Sequence, residues 1–151
     1  MELHEAETLA RSLISEHLSD DWQFAWHERR SAHGSCSHSD HTIALSRVVT
    51  PYNDPDKVRD TVLHEIAHAK VGPGNGHNRL WKTMARAIGA DPTRGHKTSE
   101  PMPHKWHGVC DVHGVIAWRD RLSQSVRRAS CPKCSPVYSP EFQLRWERGE
   151  R

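Results

Sequence analysis

The chain has 151 residues, of which 35% are hydrophobic and 26% charged, with a formal net charge of +2. That length suits one compact domain, or a small catalytic domain with a stapled appendage, and excludes a large multidomain machine. The charge is too small to mark a nucleic-acid binder by itself, and no apolar run reaches the roughly 18 residues that a membrane span requires.

The opening "MELHEAETLARSLISEHL" is acidic and amphipathic, unlike a secretory signal, so a cytoplasmic protein with reduced thiols is expected, associated with the nucleoid if the source is bacterial or phage. Leu3, Ala6, Leu9, Ala10, Leu13, Ile14 and Leu18 recur at three- and four-residue intervals and predict a helix over residues 2–19. "DWQFAWHE" alternates Trp22, Phe24 and Trp26 with smaller or polar residues, a strand pattern. "SAHGSCSHSDH" is rich in turn residues, and "TIALSRVV" supplies a second strand, so the turn is expected to close a hairpin. Cys36 lies among His33, His38 and His41 without regular ligand spacing, and reads as a small buried hydrophobe.

Asp54 is placed to cap a helix with Pro55 in its first turn, carried by Val58, Val62, Ile66 and Ala69 to about Val71. "GPGNG" breaks the chain. A second helix then begins with His77 and runs through Leu80, Met84, Ala87 and Ile88 to a C-cap at Gly89. Residues 90–103 read as a linker, and from His104 onward short apolar runs flanked by Cys and His predict a small β module.

The first of these helices contains "HEIAH". His64 and His68, four residues apart, share a helical face and can reach one ion, while Glu65 beside them can take a proton from a metal-bound water. With 13 histidines and 10 glutamates, chance would produce the motif in about 7 of 100 shuffled chains. The helical register, the apolar opposite face and a further histidine at the chain reversal strengthen it. A catalytic zinc takes three protein ligands and keeps a position open; His77 is the best third candidate, with Asp91, His96 or Glu100 as substitutes. Metzincins need glycine three and histidine six residues after the second histidine, and Val71 and Gly74 stand there. Peptide hydrolysis is the natural reaction of such a site. Leu80, Trp81 and Met84 read as core more readily than as a substrate pocket.

In the C-terminal third, Cys110 and His113 form one tight pair and Cys131 and Cys134 another, a spacing expected of a closed Cys3His zinc site that is structural. A redox C-x-x-C finds no βαβ pattern to support it. A base-modifying zinc deaminase fails for want of H-x-E. From His104 to Cys134 six Lys and Arg oppose two Asp, a local +4. Arg119, Arg121, Arg127 and Arg128 with Trp106 and Trp118 can hold a nucleic-acid strand, arginines on phosphate and indoles on bases, or else form a solvated hairpin over a thin core. The tail's Phe142, Leu144 and Trp146 alternate like a short edge strand.

Together, "TIALSRVV", "VRDTVLHEIAHAKVGPGNGH" and "HNRLWKTMARAIGADPTR", followed by a cysteine-containing basic module, resemble the SprT-like (Spartan-type) zinc metalloproteases over roughly residues 5–145. The resemblance implies an α+β core (N-terminal helix, small β-sheet, HExxH helix and following helix) in residues 1–100 and a C-terminal β zinc-ribbon with its tail in residues 101–151. It implies one catalytic zinc on His64, His68 and His77, Glu65 as general base, and a second, structural zinc. It further implies a monomeric DNA-repair protease that acts on proteins held on or crosslinked to DNA, with single-stranded or partly unpaired DNA as the partner. Family ribbons often carry four cysteines, so the C-x-x-H half is a departure that leaves His113 or His107 as fourth ligand. The rival reading is a DNA-associated adaptor whose histidine site holds zinc and cleaves nothing.

Overall fold

The computed structural model describes residues 1–93 and 97–149, which divide into two compact units, Met1–Met102 and Pro103–Arg151. The first helix, α1 (Leu3–His17), starts at a capping box in which Glu5 accepts from the Glu2 amide at 3.2 Å, so two amides that the helix leaves unpaired are satisfied reciprocally. Its buried face is Ala6, Ala10, Leu13 and Ile14, and the two alanines allow close approach to the helix it packs on.

Three short strands follow: β1 (Gln23–His27), β2 (Gly34–Ser37) and β3 (Thr42–Ser46). The sheet order is β1-β3-β2, with β3 central, parallel to β1 and antiparallel to β2. The expected hairpin between the two apolar strands is therefore corrected. The hairpin joins β2 to β3, and β2 comes from the stretch that reads as turn. Its small polar residues conceal an edge strand whose order comes from pairing with β3 and from the helix packed beneath it. β3 is buried at Ile43, Ala44, Leu45 and Ser46.

Helix α2 (Pro55–Val71) forms where expected. Asp54 Oδ1 accepts from the Lys57 amide at 2.7 Å, and Pro55 occupies the first turn. Val58, Val62, Leu63, Ile66 and Ala67 face the core with α1 and the sheet. Helix α3 (Arg79–Ala87) starts later than expected, capped by Asn78, so that His77 stands outside it; Ile88 is its C-cap and Gly89 follows at φ 87°. Of the stretch that reads as a linker, the described residues 90–93 and 97–102 are tied into the first unit: the Asp91 amide donates to Asp60 Oδ1 at 2.7 Å, and the Glu100 amide to Tyr52 O at 2.9 Å.

The second unit is a three-stranded antiparallel sheet, β5-β4-β6, built from β4 (Trp106–Cys110), β5 (Gly114–Arg119) and β6 (Arg145–Arg148), with one short helix, α4 (Gln124–Arg127), in the β5–β6 connection. Among the described residues of the tail, Arg145–Arg148 form the edge strand, and Phe142 lies in a 3-10 turn. The core consists of Cys110, Cys131 and Leu144, with Ile116, Phe142 and Trp146 against it. So few apolar side chains give little hydrophobic stabilisation, and a covalent or metal staple is the usual supplement. Among the described residues no helix is long and apolar enough to cross a membrane.

Candidate functional site

Three imidazoles converge on one side of α2. His64 and His68 lie one helical turn apart, with ring centroids separated by 5.1 Å. The third comes from the following loop. Gly72 (φ 82°) and Gly74 (φ 80°) occupy left-handed backbone that residues with a Cβ rarely adopt. Asn75 Nδ2 donates to Val71 O at 2.9 Å and its Oδ1 accepts from Asn78 Nδ2 at 2.9 Å. Between the two asparagines the chain turns back and delivers His77, whose Nε2 stands 3.0 Å from His64 Nε2 and 3.2 Å from His68 Nε2.

These spacings fit a metal ion. Nitrogens about 2.0–2.1 Å from zinc at tetrahedral angles lie about 3.3 Å apart. A neutral imidazole offers one N–H, so three converging nitrogens cannot all satisfy one another, whereas a cation satisfies all three. Burial, and after it the neighbouring His77, holds His68 below the ordinary histidine range, which favours the neutral form that ligates. His77 is exposed, so the cluster is open on that side.

Glu65 sits beside the cluster, packed on nearly every side although a little of its surface is accessible. Burial pushes its carboxyl up to about 7, against the lowering influence of the Arg29 guanidinium. Strand β2 lies directly on it. A Cβ at Gly34 would stand 2.9 Å from Glu65 Cγ and 3.0 Å from Glu65 Oε1, so the absent side chain is what lets the strand approach the carboxylate. Sequence reading does not single out Gly34, because its partner is 31 positions away.

Trp81 forms the floor. It is 1% exposed, and its ring centroid lies 4.6 Å from that of His64, 5.1 Å from that of His68 and 4.4 Å from that of His77. Asn78 Oδ1 accepts from the Trp81 amide at 3.0 Å, so one capping side chain fixes the residues on both sides of it. Leu80 is exposed and Met84 partly buried. Of the substitute ligands, Asp91 and Glu100 are outside the cluster, with Asp91 Oδ1 accepting from the Thr93 amide at 2.8 Å; His96 lies outside the described residues.

Cys36 joins no metal-type group among the described residues. Burial, with the Glu65 carboxylate adding to it, pushes its thiol up to about 12, so it is a neutral thiol packed against the core. Nearby, His38 Nε2 lies 2.9 Å from His68 O, and His41 stacks on Trp22 at 5.0 Å.

In the second unit Cys110 ends β4 and His113 lies in the turn to β5. Cys131 and Cys134 form a tight knuckle in which the Cys134 and Ser135 amides donate to Cys131 O at 3.2 and 3.1 Å. His113 Nδ1 is 3.6 Å from Cys110 Sγ, 3.6 Å from Cys131 Sγ and 3.4 Å from Cys134 Sγ, and the Cys110 and Cys134 sulfurs are 3.6 Å apart. Tetrahedral zinc predicts about 3.6 Å for sulfur to nitrogen and about 3.8 Å for sulfur to sulfur. His107 is placed apart, 3.4 Å from Glu147 Oε2. Burial opposes ionisation of Cys110, but hydrogen bonds from His113 bring it down to about 6, while burial and the neighbouring sulfurs push Cys134 up to about 12. The first thiolate forms readily and the next forms against its charge, a conflict that a bound dication removes.

The nucleic-acid candidates do not share one surface. Trp106 pairs across the sheet with Arg119, and His107 with Trp118, and directly opposed residues of an antiparallel pair share a face. Trp106 and Trp118 therefore point to opposite faces. Trp118 is 53% exposed and lines an open concavity with Pro103, His104, His107 and Gly149. Arg119, Arg121, Arg127 and Arg128 are exposed.

The fold and its clusters define a mixed α+β protein with two groups of side chains suited to a metal ion. The SprT-like family model matches residues 4–101, about two thirds of the chain, and the chain belongs to that family, which is of metallopeptidase type. No curated protein matches the chain. The match covers the first unit and stops short of the second.

Proposed function

We propose that the chain is a zinc metalloendopeptidase that cleaves proteins lying on DNA or bonded to it, with His64, His68 and His77 as the ligands of the catalytic zinc and Glu65 as the general base. The observation that carries this reading is the meeting of three imidazole nitrogens at 3.0 and 3.2 Å beside the partly buried Glu65 carboxyl. When bound, zinc polarises a carbonyl oxygen and makes water acidic near neutral pH. Glu65 accepts a proton from the attacking water and delivers it to the amine nitrogen as the C–N bond breaks. A carboxyl raised to about 7 both accepts and releases a proton near neutrality. The exposed side at His77 leaves access for a polypeptide.

DNA as partner, single-stranded or partly unpaired, is supported by family membership and by the basic second unit, where Arg119, Arg121, Arg127 and Arg128 supply charge and Trp118 an exposed indole. Cys110, His113, Cys131 and Cys134 hold a second zinc with no position left for substrate, a structural role.

The test is proteolysis of a DNA-binding protein by the zinc-loaded chain, with and without single-stranded DNA, beside Glu65→Gln at matched zinc content. Cleavage that requires both DNA and Glu65 is the expected result. No cleavage with zinc in both sites replaces the protease with a zinc-binding adaptor, and cleavage indifferent to DNA removes DNA from the reading.

A further inference from the structure

We infer that Trp81 is a positioning residue of the histidine centre: its indole sets the orientation of all three imidazoles and thereby the metal affinity of the site. The inference deepens the function proposed above and rests on its assignment of His64, His68 and His77 as ligands. Terminal ring torsions of histidine are broad, so neighbours must hold each ring if its Nε2 is to point at a common centre. One side chain touches all three. His64 and His77 meet the indole at interplanar angles of 61° and 69°, and His68 lies nearly stacked on it at 28°.

Two further observations separate this role from core filling. Trp81 Nε1 is buried with no hydrogen-bond partner among the described residues, a cost that a phenyl ring at the same place would avoid, so the contacts described do not account for an indole here by stability alone. The indole face is also electron-rich, and His68, nearly stacked on it, is drawn to it more strongly when its imidazole shares the charge of a bound dication. The indole therefore favours the loaded site over the empty one.

The test uses the full chain with one equivalent of zinc in the cysteine site and cobalt(II) titrated into the histidine site, followed by visible absorption and competition with a chelator. Urea unfolding of each metal-free variant is measured alongside. Trp81→Phe is expected to weaken cobalt binding about tenfold and Trp81→Leu by about 10- to 100-fold, with altered absorption bands, while the metal-free fold of Trp81→Phe keeps its urea midpoint and the cysteine site is unchanged. Unchanged affinity in both variants overturns the inference and leaves the ligand assignment standing. A loss of affinity matched by equal loss of metal-free stability, or collapse of Trp81→Phe, overturns it in favour of a purely structural tryptophan. If the unaltered chain takes up no cobalt at the histidines, the ligand assignment falls and the inference with it.

Discussion

The histidine cluster takes two imidazoles from one turn of α2 and a third from the loop behind it, and leaves His77 exposed; the cysteine cluster takes Cys110 from the end of β4, His113 from the turn after it and Cys131 and Cys134 from a separate knuckle, and buries Cys110 and Cys131 while His113 is exposed. The first sits on a fold with its own apolar core of three helices and a sheet, the second on a unit whose core has three buried side chains. An open site on a self-supporting scaffold is free to do chemistry, because losing the ion does not unfold its surroundings. A closed site in a thin core stabilises its unit and has no vacancy to offer a substrate.

The largest expected break in this contrast is Cys131→Ser. Structural zinc contributes on the order of 10 kcal/mol to folding, so the second unit should lose its metal and its amide protection, while the first unit keeps both its metal and its fold. Hydrogen exchange with metal analysis checks this, and collapse of both units would remove the distinction. Next is Glu65→Gln, expected to lower turnover by about 10²- to 10⁴-fold with both ions retained; a smaller loss would take the general base away from Glu65.

The third effect is a pH dependence in the metal-free chain. Folded Glu65 titrates at about 7, above its ordinary 4.5, so between these values the folded state binds more protons than the unfolded one and stability falls as pH rises. Glu65→Gln removes that fall. The variant should match the parent near pH 4 and exceed it by on the order of 2–3 kcal/mol above pH 7, read from urea unfolding in the presence of a chelator. The smallest effect separates the two faces of the second sheet. Trp118→Ala should weaken single-stranded DNA binding by about 1–2 kcal/mol and Trp106→Ala should leave it unchanged; the reverse order in a fluorescence titration would put DNA on the other face.

Much of the helical framework is legible in the sequence because its signals are local. The Asp54 cap, the heptad-like run of Val58, Val62 and Ile66, and the HEIAH register each depend on residues within a turn or two. Strand β2 is not legible: Gly34, Ser35, Cys36 and Ser37 carry no apolar alternation, and their order comes from β3 and from contact with α2. The floor of the site is hidden for the same reason. Trp81 reads as a core residue of an amphipathic helix, and only the reversal braced by Asn75 and Asn78 turns it beneath three histidines.

The loop between α2 and α3 bears on the order in which the protein assembles. All three histidines fall within a span of 13 positions, whereas Cys110 and Cys134 are 24 apart. Loops of about ten residues close in tens of nanoseconds, far sooner than a sheet can align. The α2–α3 hairpin is thus equipped to gather an ion while β1 and β3, whose parallel pairing needs a long crossover, are still apart. When the full-length chain refolds from denaturant, the histidine cluster would be the earliest landmark and the sheet that shelters Glu65 a later arrival.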